Sequence, residues 1–231
     1  MNLYSLLGEV NNAAESAGNG SENLLIVIVI IVAVLIIIGF PISIFNALVR
    51  LRNRVKESWA QIDVQLKRRY DLIPNLVETV KGYAKHEKET LENVIKARNQ
   101  AVSALESLSK TSGGVPTDAA GMPGAEPGNM KLLTNAENIL TSMLKQMNIT
   151  FERYPDLKAN TNFLKLQEEL SHTENLVAFS RQHYNDEVRI YNTKRELFPN
   201  NVFAGMLGFR AASFFETADT EKIAPKVDFN S

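Results

Sequence analysis

The chain has 231 residues, with 25 Lys and Arg against 26 Asp and Glu, so its formal net charge at pH 7 is −1. That balance argues against a general nucleic-acid-binding protein, which normally carries an excess of basic residues. There is no Cys, which excludes disulfide scaffolds, thiolate metal sites and Cys nucleophiles.

An apolar segment from Leu24 to Phe45 is the first element along the chain. It carries no charged residue, and at about 1.5 Å of helical rise per residue it reaches roughly 33 Å, enough to cross a bilayer core. A cleaved signal peptide fits less well, because residues 1–23 have no Lys or Arg and the apolar run is too long. The sequence predicts a retained transmembrane helix over 24–45, after a disordered extracytoplasmic tail over 1–23.

Basic residues directly after the span predict its orientation. The span is followed by Arg50, Arg52, Arg54 and Lys56, whereas the charged residues that precede it are all acidic. The bias of Lys and Arg predicts that the amino terminus lies outside and the carboxy-terminal domain in the cytoplasm. The four residues are also candidates for contact with anionic lipid headgroups, although an orientation signal alone is the simpler interpretation.

Helical periodicity accounts for the rest of the chain. The first helix continues past the span, and Pro74 predicts a kink or break near 70–74. Further helices are predicted over 86–109, 130–153 and 157–197, with a flexible Gly- and Pro-rich insertion at 112–128. The predicted fold is all-α: one amino-terminal transmembrane helix that continues into an antiparallel four-helix bundle over 46–207.

The carboxy-terminal segment 208–231 is too apolar for a free tail. It contains Phe209, Phe214, Phe215 and Phe229. We expect it either to pack on the bundle or to present an aromatic surface to a partner.

Glu169 and His172 form an E-x-x-H pair, the sharpest chemical motif in the sequence. Helical bundles that hold two metal ions use two such motifs and two further Glu residues, and here half of that set is missing. The sequence also lacks nucleotide-binding and nucleophile motifs. We therefore expect that the chain is not an enzyme and that it has no catalytic residue, no metal and no cofactor.

Two polar regions are candidates for a hydrogen-bonded network across the bundle, which would fix register or form a polar groove. Ordinary solvated helix faces are the competing interpretation. The candidates are Arg68, Arg69, Asp71, Asn75 and Glu78 around Pro74, and Glu169, Glu174, Asn175, Arg181 and Asn185 on the last long helix.

Three stretches closely resemble the LemA family of bacterial membrane proteins. They are VRLRNRVKESWAQIDVQLKRRYDLIPNLVETVKGYAKHE (49–87), TFERYPDLKANTNFLKLQEELSHTENLVAFSRQHYNDEVRIYN (150–192) and FPNNVFAGMLGF (198–209). With the single amino-terminal span, the similarity covers nearly all of residues 24–231. The resemblance implies a helical bundle on a single-span anchor in the bacterial cytoplasmic membrane.

The resemblance also bears on function. No biochemical activity is established for the family as a whole; some members belong to proteins that form magnetosome membranes, and others lie beside a membrane metalloprotease. The resemblance thus implies membrane organisation, scaffolding or quality control and not catalysis. We predict a scaffold that self-assembles at the membrane and contributes to membrane organisation or remodelling, with an adaptor or regulator of a membrane metalloprotease or quality-control system as the alternative. A metal-dependent enzyme built on Glu169 and His172 is a distant alternative. The expected partners are the lipid bilayer, a second copy of the chain or another membrane protein, and no nucleic acid.

Overall fold

A computed structural model describes the backbone of residues 3–110 and 127–215 and the side chains of residues 23–108 and 128–215. Within those ranges every regular element is an α-helix, which confirms the all-α prediction. The helices are α1 (Leu3–Lys81), α2 (Lys88–Lys110), α3 (Pro127–Phe151), α4 (Pro155–Lys158), α5 (Thr161–Glu196) and α6 (Asn200–Met206). Most of the predicted insertion 112–128 lies outside the described residues, but its last two residues, Pro127 and Gly128, begin α3.

The chain divides into two compact units, Met1–Ala47 and Leu48–Ser231. In the first unit, residues 23–40 are exposed, and the helix there is long and apolar enough to cross a membrane. Helix α1 begins at Leu3, so the backbone of residues 3–23 is helical where the sequence predicts a disordered tail. Lengthening an existing helix costs far less than nucleating one, so the apolar helix extends into the preceding residues.

In the second unit, α1 and α5 run antiparallel. Arg68 of α1 pairs with Glu169 of α5, the Nη2–Oε2 distance being 3.0 Å. Trp59, earlier on α1, meets Tyr184, later on α5, with ring centroids 5.5 Å apart. Because residue numbers on α5 rise from Glu169 to Tyr184 as those of the contacting residues on α1 fall from Arg68 to Trp59, the two helices point in opposite directions.

The other long helices complete an alternating arrangement. Arg69 contacts Glu137 and Glu87 contacts Arg153, so α1 and α3 run in the same direction. The short connection at 82–87 makes α2 antiparallel to α1, and α2 packs against α3. Successive long helices therefore alternate in direction around one apolar core, which includes the fully buried Trp59.

Helix α1 is not interrupted at Pro74, so of the predicted kink or break, the break is wrong. A proline in a helix removes the N–H that would bond the carbonyl four residues earlier, which here belongs to Tyr70. Arg98 of α2 supplies the missing donor, since its Nε lies 3.1 Å from that carbonyl oxygen. The helix therefore tolerates Pro74 through a tertiary contact.

The predicted helix over 157–197 is divided into α4 and α5. Asn160 caps α5: its side-chain oxygen accepts hydrogen bonds from the backbone N–H groups of Asn162 and Phe163, at 2.9 and 3.0 Å. Asn at this position satisfies N–H groups that have no helical partner. It therefore starts a new helix instead of continuing the short α4.

Residues 209–215 form an extended strap along α5. The side-chain amide of Asn192 donates to the carbonyl of Ala212 and accepts from its backbone N–H, both at 2.9 Å. The side-chain amide of Asn185 does the same with Phe215, at 3.0 and 2.8 Å. The Phe215 ring is buried and stacks 6.4 Å from that of Trp59. Residues 216–231 of the predicted tail lie outside the described residues.

Candidate functional site

A cluster of charged side chains lies inside the second unit, centred on Glu137 of α3. Glu137 is 0% exposed. Its Oε2 accepts hydrogen bonds from Arg69 of α1 at 3.0 Å and from Arg181 of α5 at 2.8 Å, and its Oε1 accepts one from the Tyr70 hydroxyl at 2.6 Å. One carboxylate therefore connects three helices through three donors.

Arg69 is the most constrained cation of this cluster. Its residue exposure is only 1%, and besides Glu137 it donates to the Thr141 hydroxyl at 2.9 Å. Glu174 of α5 lies 3.8 Å from the same guanidinium and is about half exposed. The guanidinium groups of Arg69 and Arg181 thus lie beside two carboxylates, the buried Glu137 and the half-exposed Glu174. The cluster therefore contains two positive and two negative charges.

Burial governs the ionisation of the groups around Glu137. Burial raises the pKa of Tyr70 far above its ordinary range, and the charge of Glu137 and its hydrogen bond act in the same direction. Burial lowers the pKa of Arg181, and the nearby Glu137 carboxylate opposes that change. Tyr70 therefore stays a hydrogen-bond donor, because its neutral form is strongly favoured.

The cluster also reaches the strap. The Arg181 guanidinium lies 4.5 Å from the centroid of the Phe215 ring, a distance typical of a cation–π contact. Phe215 is the residue that Asn185 holds through its backbone. The strap is thus fixed at Phe215 both by the hydrogen bonds of Asn185 to its backbone and by the partly exposed Arg181 at its ring.

The structure brings together some of the predicted network residues and leaves others apart. Arg69, Glu174 and Arg181 lie in the cluster, Arg68 and Glu169 form a separate surface pair, and Asn185 holds the strap. Four further candidates are exposed and have no part in the cluster: Asp71, Asn75, Glu78 and Asn175.

Sequence reasoning missed the centre of the cluster, Glu137. Its signal was present, because Glu137 falls between Leu133 and Leu140 on the apolar stripe of α3, four and three residues away. A charged residue at a core position is unfavourable unless other buried groups pair with it and donate hydrogen bonds to it, so Glu137 predicts such partners. Tyr70 and Thr141, also missed, supply a donor and an acceptor to the same cluster.

The remaining candidates lie on the surface. Arg50 and Arg54 are exposed and Lys56 is partly exposed, whereas Arg52 places its guanidinium 5.5 Å from the Phe209 ring centroid. His172 is exposed, and Glu169 is committed to Arg68. Among residues 23–108 and 128–215, no group of three or more His, Asp or Glu has the arrangement of a metal site.

A groove of about 1320 Å³ runs along the outside of α1 and α2. Its floor is apolar, with Val77 and Leu91 nearly buried and Ile95 partly exposed. Four lysines and two glutamates carry its charge, so the groove has a net charge of +2. These residues are Lys81, Lys85, Lys88, Lys96, Glu78 and Glu92.

Comparison with known proteins gives a consistent family. Residues 58–229 match the LemA family. The chain is 25% identical over 178 residues to Protein LemA of Metamycoplasma hominis, covering 77% of this chain and 71% of that protein. It is 25% identical over 195 residues to Magnetosome protein MamQ 2 of Paramagnetospirillum magneticum and 23% identical to Magnetosome protein MamQ of Magnetospirillum gryphiswaldense, covering 79% of this chain and 70% of each relative.

Proposed function

The chain belongs to the LemA family of membrane-associated proteins, and we propose that it is a non-enzymatic scaffold that assembles with copies of itself at the membrane. Its transmembrane helix keeps copies in the same bilayer. Its bundle supplies the surfaces through which they meet. The magnetosome proteins among its relatives support a role in organising membranes.

The buried cluster favours a structural role over catalysis. Each oxygen of Glu137 already accepts hydrogen bonds from donors in the core. A general base or metal ligand needs an oxygen that a substrate or an ion can reach. We assign the cluster to holding α1, α3, α5 and the strap in register.

The groove along α1 and α2 is the observation that carries the proposal. It is a long concave surface with an apolar floor and a lysine rim, which is the form of surface that binds an amphipathic helix. Its net charge of +2 favours a helix with acidic residues. The proposal assigns that place to a helix of a second copy.

We propose that an exposed face of helix α5 is the part of the second copy that enters the groove. Leu164 and Phe179 are exposed on it, the latter at 69%. Residues 164–179 contain three Glu against one Lys, of which Glu169 pairs with Arg68 and Glu174 lies 3.8 Å from Arg69. Two different surfaces that complement each other make a head-to-tail contact. Repetition of such a contact generates rings or filaments, which is the behaviour expected of a scaffold.

Cross-linking in membranes tests this contact. Because the natural chain has no Cys, an Ile95→Cys chain and a Phe179→Cys chain can be co-expressed with different tags and oxidised. The proposal expects a mixed disulfide dimer from this pair and none when Leu132→Cys of α3 replaces the α5 variant. Equal yields from both pairs, or no cross-link from either, would contradict a groove-to-α5 contact.

The two alternatives give different results. An adaptor of a membrane metalloprotease would use the same groove for another protein, so purification would recover that protease with a monomeric chain. A metal-dependent enzyme would retain stoichiometric metal after purification, lost on replacing His172 by Ala. The scaffold proposal expects neither outcome.

The proposed topology places the amino terminus outside and the bundle in the cytoplasm of a bacterial cell, at its cytoplasmic membrane. The basic residues Arg50, Arg52 and Arg54 after the span support this orientation. A reporter enzyme fused to Ser231 tests it. Activity confined to the extracytoplasmic side would reverse the orientation.

A further inference from the structure

An exposed apolar corner lies where α5 ends and α6 begins. Phe198 is 82% exposed and Met206 is 78% exposed, the largest values among the exposed apolar side chains of the described residues. Leu197, Val202 and Leu207 add roughly half-exposed side chains to the same segment. We name this surface, Leu197–Leu207, the apolar corner.

The backbone of the corner is well fixed, so the exposure is not that of a loose loop. Asn200 is buried and donates from its side chain to the Lys194 carbonyl at 2.9 Å, and Ala204 is buried one turn later. Asn200 and Ala204 therefore form the inner face of α6. Val202 and Met206, also four residues apart, lie on its outer face.

The apolar corner lies at one end of the bundle, the end that also contains the first α1 residues of the second unit, near Arg52. The Phe209 ring lies 5.5 Å from the Arg52 guanidinium, and Tyr191, near the end of α5, donates to the Arg210 carbonyl at 2.8 Å. Arg52 follows the last span residue, Phe45, by seven positions. Even a fully extended chain of that length reaches only about 25 Å, so Arg52 stays close to the bilayer surface.

Charge at this end suits an anionic membrane. Residues 48–54 and 194–210 contain six basic residues, Arg50, Arg52, Arg54, Lys194, Arg195 and Arg210, against the single acidic Glu196. At the opposite end, residues 79–90 and 150–160 contain five Lys and Arg against four Asp and Glu. The net charge of these segments is therefore +5 at the end that carries the apolar corner and +1 at the opposite end.

We propose that the apolar corner inserts into the lipid bilayer, with Phe198, Val202 and Met206 among the acyl chains and the surrounding basic residues on anionic headgroups. Exposed apolar side chains ringed by Lys and Arg are the pattern of proteins that lie in a membrane interface. The bundle would then hold the membrane at a second point besides its span. This inference needs the membrane anchor but does not depend on self-assembly.

Depth-sensitive fluorescence of the full chain tests the insertion. Single cysteines replace Phe198, Val202 or Met206, with Val64→Cys and Ile149→Cys as controls at other exposed apolar positions. Each variant is labelled with an environment-sensitive fluorophore and placed, at one chain per vesicle, in vesicles of phosphatidylcholine and phosphatidylglycerol. Emission is compared with and without bromine on the acyl chains, and with iodide in the water.

The proposal predicts that brominated lipid quenches the three corner labels and leaves the two controls bright. It also predicts that iodide quenches the controls and not the corner labels. Corner labels quenched by iodide as strongly as the controls would overturn it. Corner labels shielded from both quenchers would overturn it too, because protein and not lipid would then cover the corner.

Discussion

Arg98 of α2 donates its Nε–H to the backbone carbonyl of Tyr70 at 3.1 Å. Pro74 has no N–H to offer that carbonyl, so a side chain from the neighbouring helix takes the place of a bond within α1. Tyr70 also holds Glu137 through its hydroxyl. The proline, the arginine and the buried cluster therefore meet at one residue of α1.

This relationship predicts a strong coupling between Arg98 and Pro74. Arg98→Ala leaves the Tyr70 carbonyl without a donor, and we expect it to lower the free energy of unfolding by about 1–3 kcal/mol. In a Pro74→Ala background the restored N–H supplies the donor, so the same change costs much less. Denaturant unfolding of the four chains in detergent gives the coupling energy; additive effects would contradict the assignment.

The buried cluster predicts a large cost for losing its carboxylate. Glu137→Gln leaves the buried Arg69 and the partly exposed Arg181 without their shared counterion, and the expected loss in the free energy of unfolding is about 3–5 kcal/mol. The matched control is Glu168→Gln, on the exposed surface of α5, which we expect to change stability by no more than about 0.5 kcal/mol. Similar denaturation midpoints for the two variants would refute a stabilising role for the cluster.

Alkaline pH should destabilise the protein through its buried phenols. Burial raises the pKa of both Tyr70 and Tyr184 in the folded state, whereas an unfolded tyrosine ionises near pH 10. Above that pH the folded chain binds more protons than the unfolded chain, so the free energy of unfolding falls as pH rises. Below it the contribution is fully present.

The expected signature is a change of slope. Tyr70→Phe removes one titrating group, so its unfolding free energy should fall less steeply above about pH 10 than that of the natural chain. The variant Tyr83→Phe, whose side chain is 43% exposed, is the matched control. Equal slopes for Tyr70→Phe and the natural chain would contradict the burial of this hydroxyl.

The strap predicts a local change in hydrogen exchange. Asn185→Leu removes both side-chain bonds to the Phe215 backbone, so we expect the Phe215 amide to exchange faster while amides inside the long helices keep their protection. Asn175→Leu, at an exposed position of α5, should leave exchange unchanged. Mass spectrometry of peptides covering 209–215 provides the measurement, and an unchanged Phe215 rate would be inconsistent with the described contact.

The fold followed from local patterns, whereas the cluster needed tertiary information. Periodicity predicts the helices because the apolar residues of one helix face recur three and four residues apart in the sequence. The partner of a charged core residue depends on how neighbouring helices are rotated against each other, which no single stripe specifies. Arg69 was therefore predicted as a network member while Glu137, on another helix, was not.

The same limit applies to Pro74 and Asn185. A proline in a helical pattern predicts a kink or break from local chemistry alone, whereas the donor that Arg98 of α2 supplies to the Tyr70 carbonyl is visible only in the tertiary structure. Asn185 was expected to bond across the bundle, but the strap from residue 209 onward lies beside it. Contacts with distant backbone have no periodic signature in the sequence.

The mass of the assembled protein tests the scaffold proposal most directly. The full chain, 25.8 kDa, would be placed in lipid nanodiscs large enough for several copies, and particle masses measured after subtraction of lipid and belt protein. The account predicts several chains per particle, reduced to one by the charge reversal of Lys85 and Lys96 to Glu in the groove. A single chain per particle at every protein concentration would contradict it.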